Sequence, residues 1–285
     1  MTKKKQKLTG GHAVIIIVLI LLALICFYPM WYTLIMSFSD KVYVDAGRTW
    51  LIPLGLNVKS YGKILKDSLF FSAMWVSVKR VIVGCAVSMF MLIITAYPLC
   101  VPEKKFPASK YIKWFFLANM MFSGGLIPFY TLMRQYHLFN SFWVLILPGA
   151  LPLWNMILMM NFFRNVPYAL NESATIDGAN AWQTLWKVTI PNVMPSITIC
   201  TFLTLTNSFK LFDQNLALTA GRPFIQNAGE TVKTTEMLAL NIYSSFYAST
   251  TNRGVGQAKA VIFFVLVAAI SILQLSSSRK KEVQQ

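Results

Sequence analysis

The chain has 285 residues, of which 56% are hydrophobic and 13% charged, with a mean hydropathy of +0.55. Soluble domains carry roughly 25% charged residues, and several apolar runs here reach the about 18 residues that cross a bilayer core, so an ordinary soluble fold is excluded. The net charge of +16 does not point to nucleic acid: basic residues sit at the edges of apolar runs without an aromatic-interleaved groove, and lipid anchoring with helix orientation accounts for them.

In chain order, residues 1–12 form a basic N-terminus carrying Lys3, Lys4, Lys5 and Lys7. The apolar run 13–36 follows. It is longer than the 7–15 residues of a signal core, and is read as a retained first span despite the small-x-small pattern at Ser37–Ser39. Further spans are expected at 74–100, 112–133, 142–163, 195–212 and 258–276. Lys79 and Arg80 interrupt the second near its start and are placed at its outer end, because a charge at the bilayer centre costs about 2.5–3.5 kcal/mol. Six spans put both termini on one side, and Arg279, Lys280 and Lys281 join the N-terminal lysines in marking that side as the cytoplasm. With Lys104, Lys105, Lys110, Lys113, Arg164 and Lys187, the inside segments hold half of the 26 Lys and Arg residues, and it is their shorter length that favours this orientation. The expected organisation is an all-α polytopic membrane domain over 13–277, closed by a cytoplasmic C-terminus, 278–285.

The third span contains Gly124, Gly125 and Pro128, and the fourth contains Pro148 and Pro152, one helical turn apart. Each proline removes a backbone donor, and freed carbonyls survive in lipid only against other helices or a water-lined cavity. On the fifth span Thr198, Thr201, Thr204 or Leu205, and Ser208 recur at helical spacing. With Asn155 and Asn161 of the fourth they either glue helices together or line a polar passage. No Asp, Glu or His lies near mid-span, where an ion-coupled carrier needs one. No Walker A loop is present. Cys26, Cys85, Cys100 and Cys200 show no metal or disulfide spacing, so no metal site is expected.

Between the fourth and fifth spans lies a water-facing insert, 164–194. Pro167 is placed at the first position of a short helix; Asp177 and Gly178 break it; a second helix presents Trp182, Leu185 and Trp186 on one side and stops at Pro191. An amphipathic segment on the membrane surface and a docking knob for a partner fit this pattern equally. Glu172 offers a carboxylate either to a partner or to its own helix dipole.

The run Glu172-Ser173-Ala174, three residues, Gly178, nine residues, then Val188-Thr189-Ile190-Pro191 resembles the EAA signature of binding-protein-dependent ABC importer permeases, E-A-A-x3-G-x9-I-x-L-P. Ser173, Val188 and Ile190 are the departures. "IDGAN" at 176–180 and "ALTAGRP" at 217–223 are similar to sugar-importing members, with Arg222 where those have glycine. The resemblance implies a MetI-like transmembrane domain of a carbohydrate importer, maltose-type, in a bacterial plasma membrane. It further implies that the insert is a coupling-helix pair, with Glu172, Ser173, Ala174, Asp177, Gly178, Trp182, Leu185, Trp186, Ile190 and Pro191 contacting an ATPase. The implied partners are a second permease subunit, two copies of a P-loop ATPase holding ATP and Mg, and an extracellular binding protein delivering a sugar. This chain itself would hold no cofactor and catalyse no reaction. Permeases for other solutes share the signature, and an ion-coupled secondary transporter is the rival class.

Overall fold

The structure, a computed structural model, describes residues 10–122, 124–227, 230–247 and 253–279. The basic residues Lys3, Lys4, Lys5, Lys7, Lys280 and Lys281 lie outside them. The elements group into two compact units, residues 1–67 with 242–263, and residues 68–241 with 264–285.

In the first unit, α1 (Gly10–Phe38) is continuous through Pro29. Its apolar side chains are largely exposed: Ile17 and Leu24 reach 57% and 59%. That suits a helix wetted by lipid, since lipid tails solvate leucine as well as a protein core does. A loop then carries α2 (Lys41–Asp45) and α3 (Lys59–Ile64). Asp40 organises it, its carboxylate accepting from the Val42 N–H at 3.2 Å and from Asn57 Nδ2 at 2.9 Å. These two bonds hold the Asp40 carboxyl below its ordinary range. Within the same unit Lys259, almost fully buried, pairs with Asp67 at 2.7 Å and donates to Ser245 at 2.8 Å.

The second unit begins with α4 (Ser68–Cys100), six residues before the predicted start. At 1.5 Å per residue this 33-residue helix outruns the about 20 residues a bilayer core needs. Next, α5 (Ser109–Met121) and α6 (Leu126–Gln135) stand where one third span was expected. The chain breaks between them at Gly125, whose φ of +78° glycine alone adopts without strain. Two 3₁₀ turns, Phe142–Leu145 and Leu147–Gly149, lead into α7 (Leu153–Asn165). The insert comprises α8 (Tyr168–Ile176), α9 (Ala181–Thr184), a π-helical stretch (Leu185–Thr189) and α10 (Ile190–Asn192). After it come α11 (Met194–Phe209) and α12 (Asp213–Leu218).

An antiparallel hairpin follows, β1 (Phe224–Asn227) and β2 (Glu230–Lys233), with Phe224 opposite Lys233. The fold is therefore mostly helical but not all-α. Strands of four residues, the first directly after Pro223, are too short to show alternation against the helical background. Finally, α13 (Leu238–Tyr247) and α14 (Arg253–Arg279) complete the described chain.

Three described helices, α1, α4 and α14, are by themselves long and apolar enough to cross a membrane. Two more candidates are bent pairs: 142–149 with α7, at 46°, and 181–192 with α11, at 79°. The core of the second unit is where α4, α7 and α11 meet: Leu92, Ala96 and Leu99 pack against Met156, Met159 and Phe163 and against Val193 and Cys200.

Candidate functional site

The insert is shaped by its own local chemistry. At the end of α8 the Gly178 N–H donates to the Thr175 carbonyl (3.1 Å) and the Ala179 N–H to the Ala174 carbonyl (2.9 Å). That is the Schellman pattern, which closes a helix only if the residue at Gly178 is left-handed; its φ is +79°. Ala174 is buried and Ala179 half-buried, and these are the two positions whose apolar residues accompany such turns. Two residues later a capping box starts α9: Asn180 Oδ1 accepts from the Gln183 N–H (2.8 Å) and Gln183 Oε1 from the Asn180 N–H (3.0 Å). Helix stop and helix start abut, and the result is a stiff elbow.

Beyond the elbow the helix does not stop at Pro191. It widens into the π-helical stretch, where the Ile190 N–H reaches back five residues to Leu185, and Pro191 enters α10 as an early residue whose missing donor is not needed. The break comes at buried Val193 instead. Pro167 likewise sits one position earlier than expected, as the N-cap of α8.

The predicted apolar face is only partly on the surface. Trp182 and Trp186 are exposed, 57% and 47%, and stack edge to face at 5.6 Å. Leu185, by contrast, is 3% exposed and turns inward with Thr184 and Thr189. Leu185 opens the π-helical stretch, so the regular-helix spacing that groups it with Trp182 and Trp186 does not hold there. Glu172, Ser173 and Asp177 are exposed on the outer surface, while Ile190 and Pro191 are half-buried. Glu172 occupies the second turn of α8, beyond the first turn in which the helix dipole acts appreciably. It also lines an open cavity of about 890 Å³, with Tyr97, Lys105, Arg164 and Asn171 among the other walls.

The second candidate region is polar and internal. Pro148 and Pro152 carry no N–H, so the carbonyls three residues before them, Leu145 and Gly149, lose their 3₁₀ donors. Side chains of α4 take over. Arg80 donates from Nε (3.0 Å) and Nη2 (2.9 Å) to the Leu145 carbonyl, and Ser88 donates to that of Gly149 across a long 3.5 Å. Nearby, Asn155 Nδ2 of α7 donates to Thr204 Oγ1 of α11 at 3.1 Å. These groups, with Ser208, line a cavity of about 150 Å³.

The sequence stripe is therefore divided. Thr204 and Ser208 face the cavity with Asn155. Thr198 is buried, but its hydroxyl is spent on the Met194 carbonyl (3.0 Å), and Thr201 is half-buried away from the cavity lining. Asn161 is exposed: six residues past Asn155 is about 240° of helix rotation, which carries it to another face. Arg80 belongs to the site although the sequence pattern places it only at the outer end of a span. Its signal is a charge inside an apolar run, a functional hypothesis by default in a membrane protein.

The segment similar to sugar-permease loops, 217–223, is also held by long-range bonds. Asn215 donates to the Thr235 carbonyl (2.7 Å) and accepts from the Met237 N–H (3.0 Å), tying α12 to the far side of the hairpin. Gly221 is required there, because a Cβ would stand 2.9 Å from Lys233 Cδ at a φ of +87°. Among the described residues no group of three or more His, Cys, Asp or Glu could hold a metal ion.

The family model described as "Binding-protein-dependent transport system inner membrane component" matches residues 69–283. Among curated proteins, the "Probable starch degradation products transport system permease protein AmyD" of Thermoanaerobacterium thermosulfurigenes is 41% identical over 51% of this chain and 47% of that protein. The "Polygalacturonan/rhamnogalacturonan transport system permease protein YtcP" of Bacillus subtilis is 34% identical over 66% of this chain and 65% of its own length. The chain thus spans about half to two thirds of the length of these relatives. Among solved structures, a chain of a bacterial ABC transporter "involved in the import of the acidic polysaccharide alginate" superposes with a TM-score of 0.78 at 23% identity, over 94% of this chain and 98% of that one. At that identity the likeness is one of fold.

Proposed function

The chain belongs to the family of binding-protein-dependent transport system inner membrane components, and from that premise we propose that it is the permease subunit of an ATP-driven importer that translocates a carbohydrate. The observation that carries this reading is the elbow at Gly178 with Trp182 and Trp186 exposed beside it. A rigid, water-facing knob with an unburied aromatic pair is built to be held by another protein. The names of the two relatives, a probable permease for starch degradation products and a permease for polygalacturonan/rhamnogalacturonan, support a sugar as the solute.

In this reading the membrane is crossed six times: by α1, by α4, by the broken pair α5–α6, by 142–165, by α11 and by α14. Both termini and the insert face the cytoplasm. Two copies of a P-loop ATPase, which hold ATP and Mg, grip the insert of this chain and that of a second permease subunit, and an extracellular binding protein delivers the sugar. Glu172 and the Trp182–Trp186 pair are the gripped groups. Ala174, Leu185, Thr184 and Thr189 are the inner side that keeps the knob stiff, and Ser173, Asp177, Ile190 and Pro191 flank it.

Force on the knob passes along the helical run 181–192 to the 79° bend at Val193. From there it reaches α11, whose Thr204 is hydrogen-bonded to α7 through Asn155. Drawing two knobs together would tilt α11 against α7 and α4 and open the polar cavity alternately to the two sides. A photocrosslinker placed at Glu172 or Trp182 in native membranes should capture a P-loop ATPase. Capture of lipid alone, in membranes where the permease is assembled, would defeat the proposal.

A further inference from the structure

Arg80 is more strongly armed than its structural task requires. Satisfying one carbonyl, Leu145, takes one or two donors, and Nε with Nη2 supply them at 3.0 and 2.9 Å. Nη1 is buried and has no hydrogen-bond partner. The residue is only 6% exposed, and among the described residues no carboxylate lies within ion-pair distance of it. A buried charge without a counter-charge is costly, and such groups are normally paired.

The surroundings have room for a counter-charge and offer none of their own. The cavity of about 150 Å³ that Arg80 lines has no acidic residue in its wall. Its other polar side chains, Ser88, Asn155, Thr204, Asn207, Ser208 and Gln214, are neutral hydroxyls and amides. Gly84, one turn along α4, also lines the cavity and lies beside the guanidinium: a Cβ there would stand 3.8 Å from Nη1, in van der Waals contact with it.

We infer that this cavity is a binding site for an anionic group of the transported solute. Arg80 Nη1 pairs with a carboxylate carried on a sugar ring, and the neutral hydroxyls and amides take that ring's hydroxyls. A cavity of this size is below the roughly 300–1,000 Å³ of ordinary ligand pockets. It therefore admits one charged end or ring, with the remainder of the passage supplied by other surfaces. A guanidinium suits the task, since its planar fork matches a carboxylate and stays charged. The inference rests on the reading of this chain as a carbohydrate permease and narrows it to uronate-containing sugars.

The test uses the complete importer in proteoliposomes, with its binding protein and ATPase. The probes are short galacturonate oligomers and the same oligomers after carboxyl reduction, which replaces each carboxylate by a hydroxymethyl on an unchanged ring. The expected result is ATP-driven uptake of the acidic oligomers at least tenfold above the reduced ones. R80Q keeps donors for the Leu145 carbonyl but lacks the charge; it should remove that preference, and R80K should keep part of it. Equal uptake of both oligomers by the native importer would overturn the inference while leaving the carbohydrate permease standing, as would uptake confined to the reduced form. The inference also fails if R80Q lowers both alike, or if uptake of both is equal and requires chloride, the sign of a free anion at Arg80. Uptake of neither sugar would defeat the carbohydrate reading itself, and this inference with it.

Discussion

The insert and the internal cavity are built in opposite ways. In the insert, every bond that sets the elbow joins residues three to five apart, from Ala179 to Ala174 and from Gln183 to Asn180. In the cavity, the bonds join residues 49 and 65 apart, Asn155 to Thr204 and Arg80 to Leu145. Local bonds make a part that keeps its shape while it is pushed. Long-range bonds between helices make a part whose shape changes when the helices move. A lever needs the first kind of construction, and a passage that opens and closes needs the second.

The sharpest way to break this contrast is at the cavity. Asn155→Ala leaves the Thr204 hydroxyl buried without its partner, and should cost about 1–3 kcal/mol. The matched pair Asn155→Leu with Thr204→Val replaces both polar groups and should unfold near the native temperature. Thermal unfolding in nanodiscs across the double-mutant cycle checks this, and strictly additive losses would show that the two residues are not coupled.

At the elbow the expected effect is smaller and of another kind. A Cβ on Gly178 meets nothing within 4 Å, so Gly178→Ala should cost only the left-handed backbone penalty, about 1–2 kcal/mol. Gly178→Leu adds a side chain into space that only a docked partner would occupy. Uptake should then fall severely while the protein is inserted at normal levels; ordinary uptake would mean that nothing docks there.

Asn180→Ala removes one half of the capping box and should cost about 1 kcal/mol. The loss should appear as faster amide exchange confined to 181–184. Exchange spreading into α7 or α11 would mean that the insert is less self-contained than its bonds indicate.

The loop after α1 is an intermediate case, because Asp40 bonds both to its neighbour Val42 and to Asn57, 17 residues on. Its carboxyl titrates below the unfolded value near 4. Its contribution is therefore complete above about pH 4 and is lost as pH falls through the lower folded value. Protection of residues 39–57 from proteolysis should be flat from neutral pH down to about 4 and decline below it. In Asp40→Asn the decline should disappear, and an unchanged profile would assign the effect to another group.

The same distinction of range governs how much of the molecule is legible from its residues alone. The spacing Glu172–Gly178–Pro191 and the break at Gly178 are readable, because a Schellman turn and its glycine are written in consecutive residues. The capping box Asn180–Gln183 is written just as locally, although the EAA-like spacing that overlaps it draws no attention to it. The inward turn of Leu185 is not readable, since it depends on how a π-helical stretch rotates against α8. The prolines at 148 and 152 announce that carbonyls will be freed, yet nothing near them in the chain says that Arg80 and Ser88 receive those carbonyls.

The sequence by itself determined that the chain is apolar enough to live in a membrane, where its long helices lie, and that an elbow at Gly178 separates α7 from α11. Composition, periodicity and turn chemistry act over a few residues, so they survive without the fold. Only the tertiary structure decided which hydroxyls of the α11 stripe face the cavity with Asn155, and that the Arg80 charge stands buried with no counter-ion among the described residues. Those are consequences of helix rotation and of contacts dozens of residues apart, which no local pattern encodes.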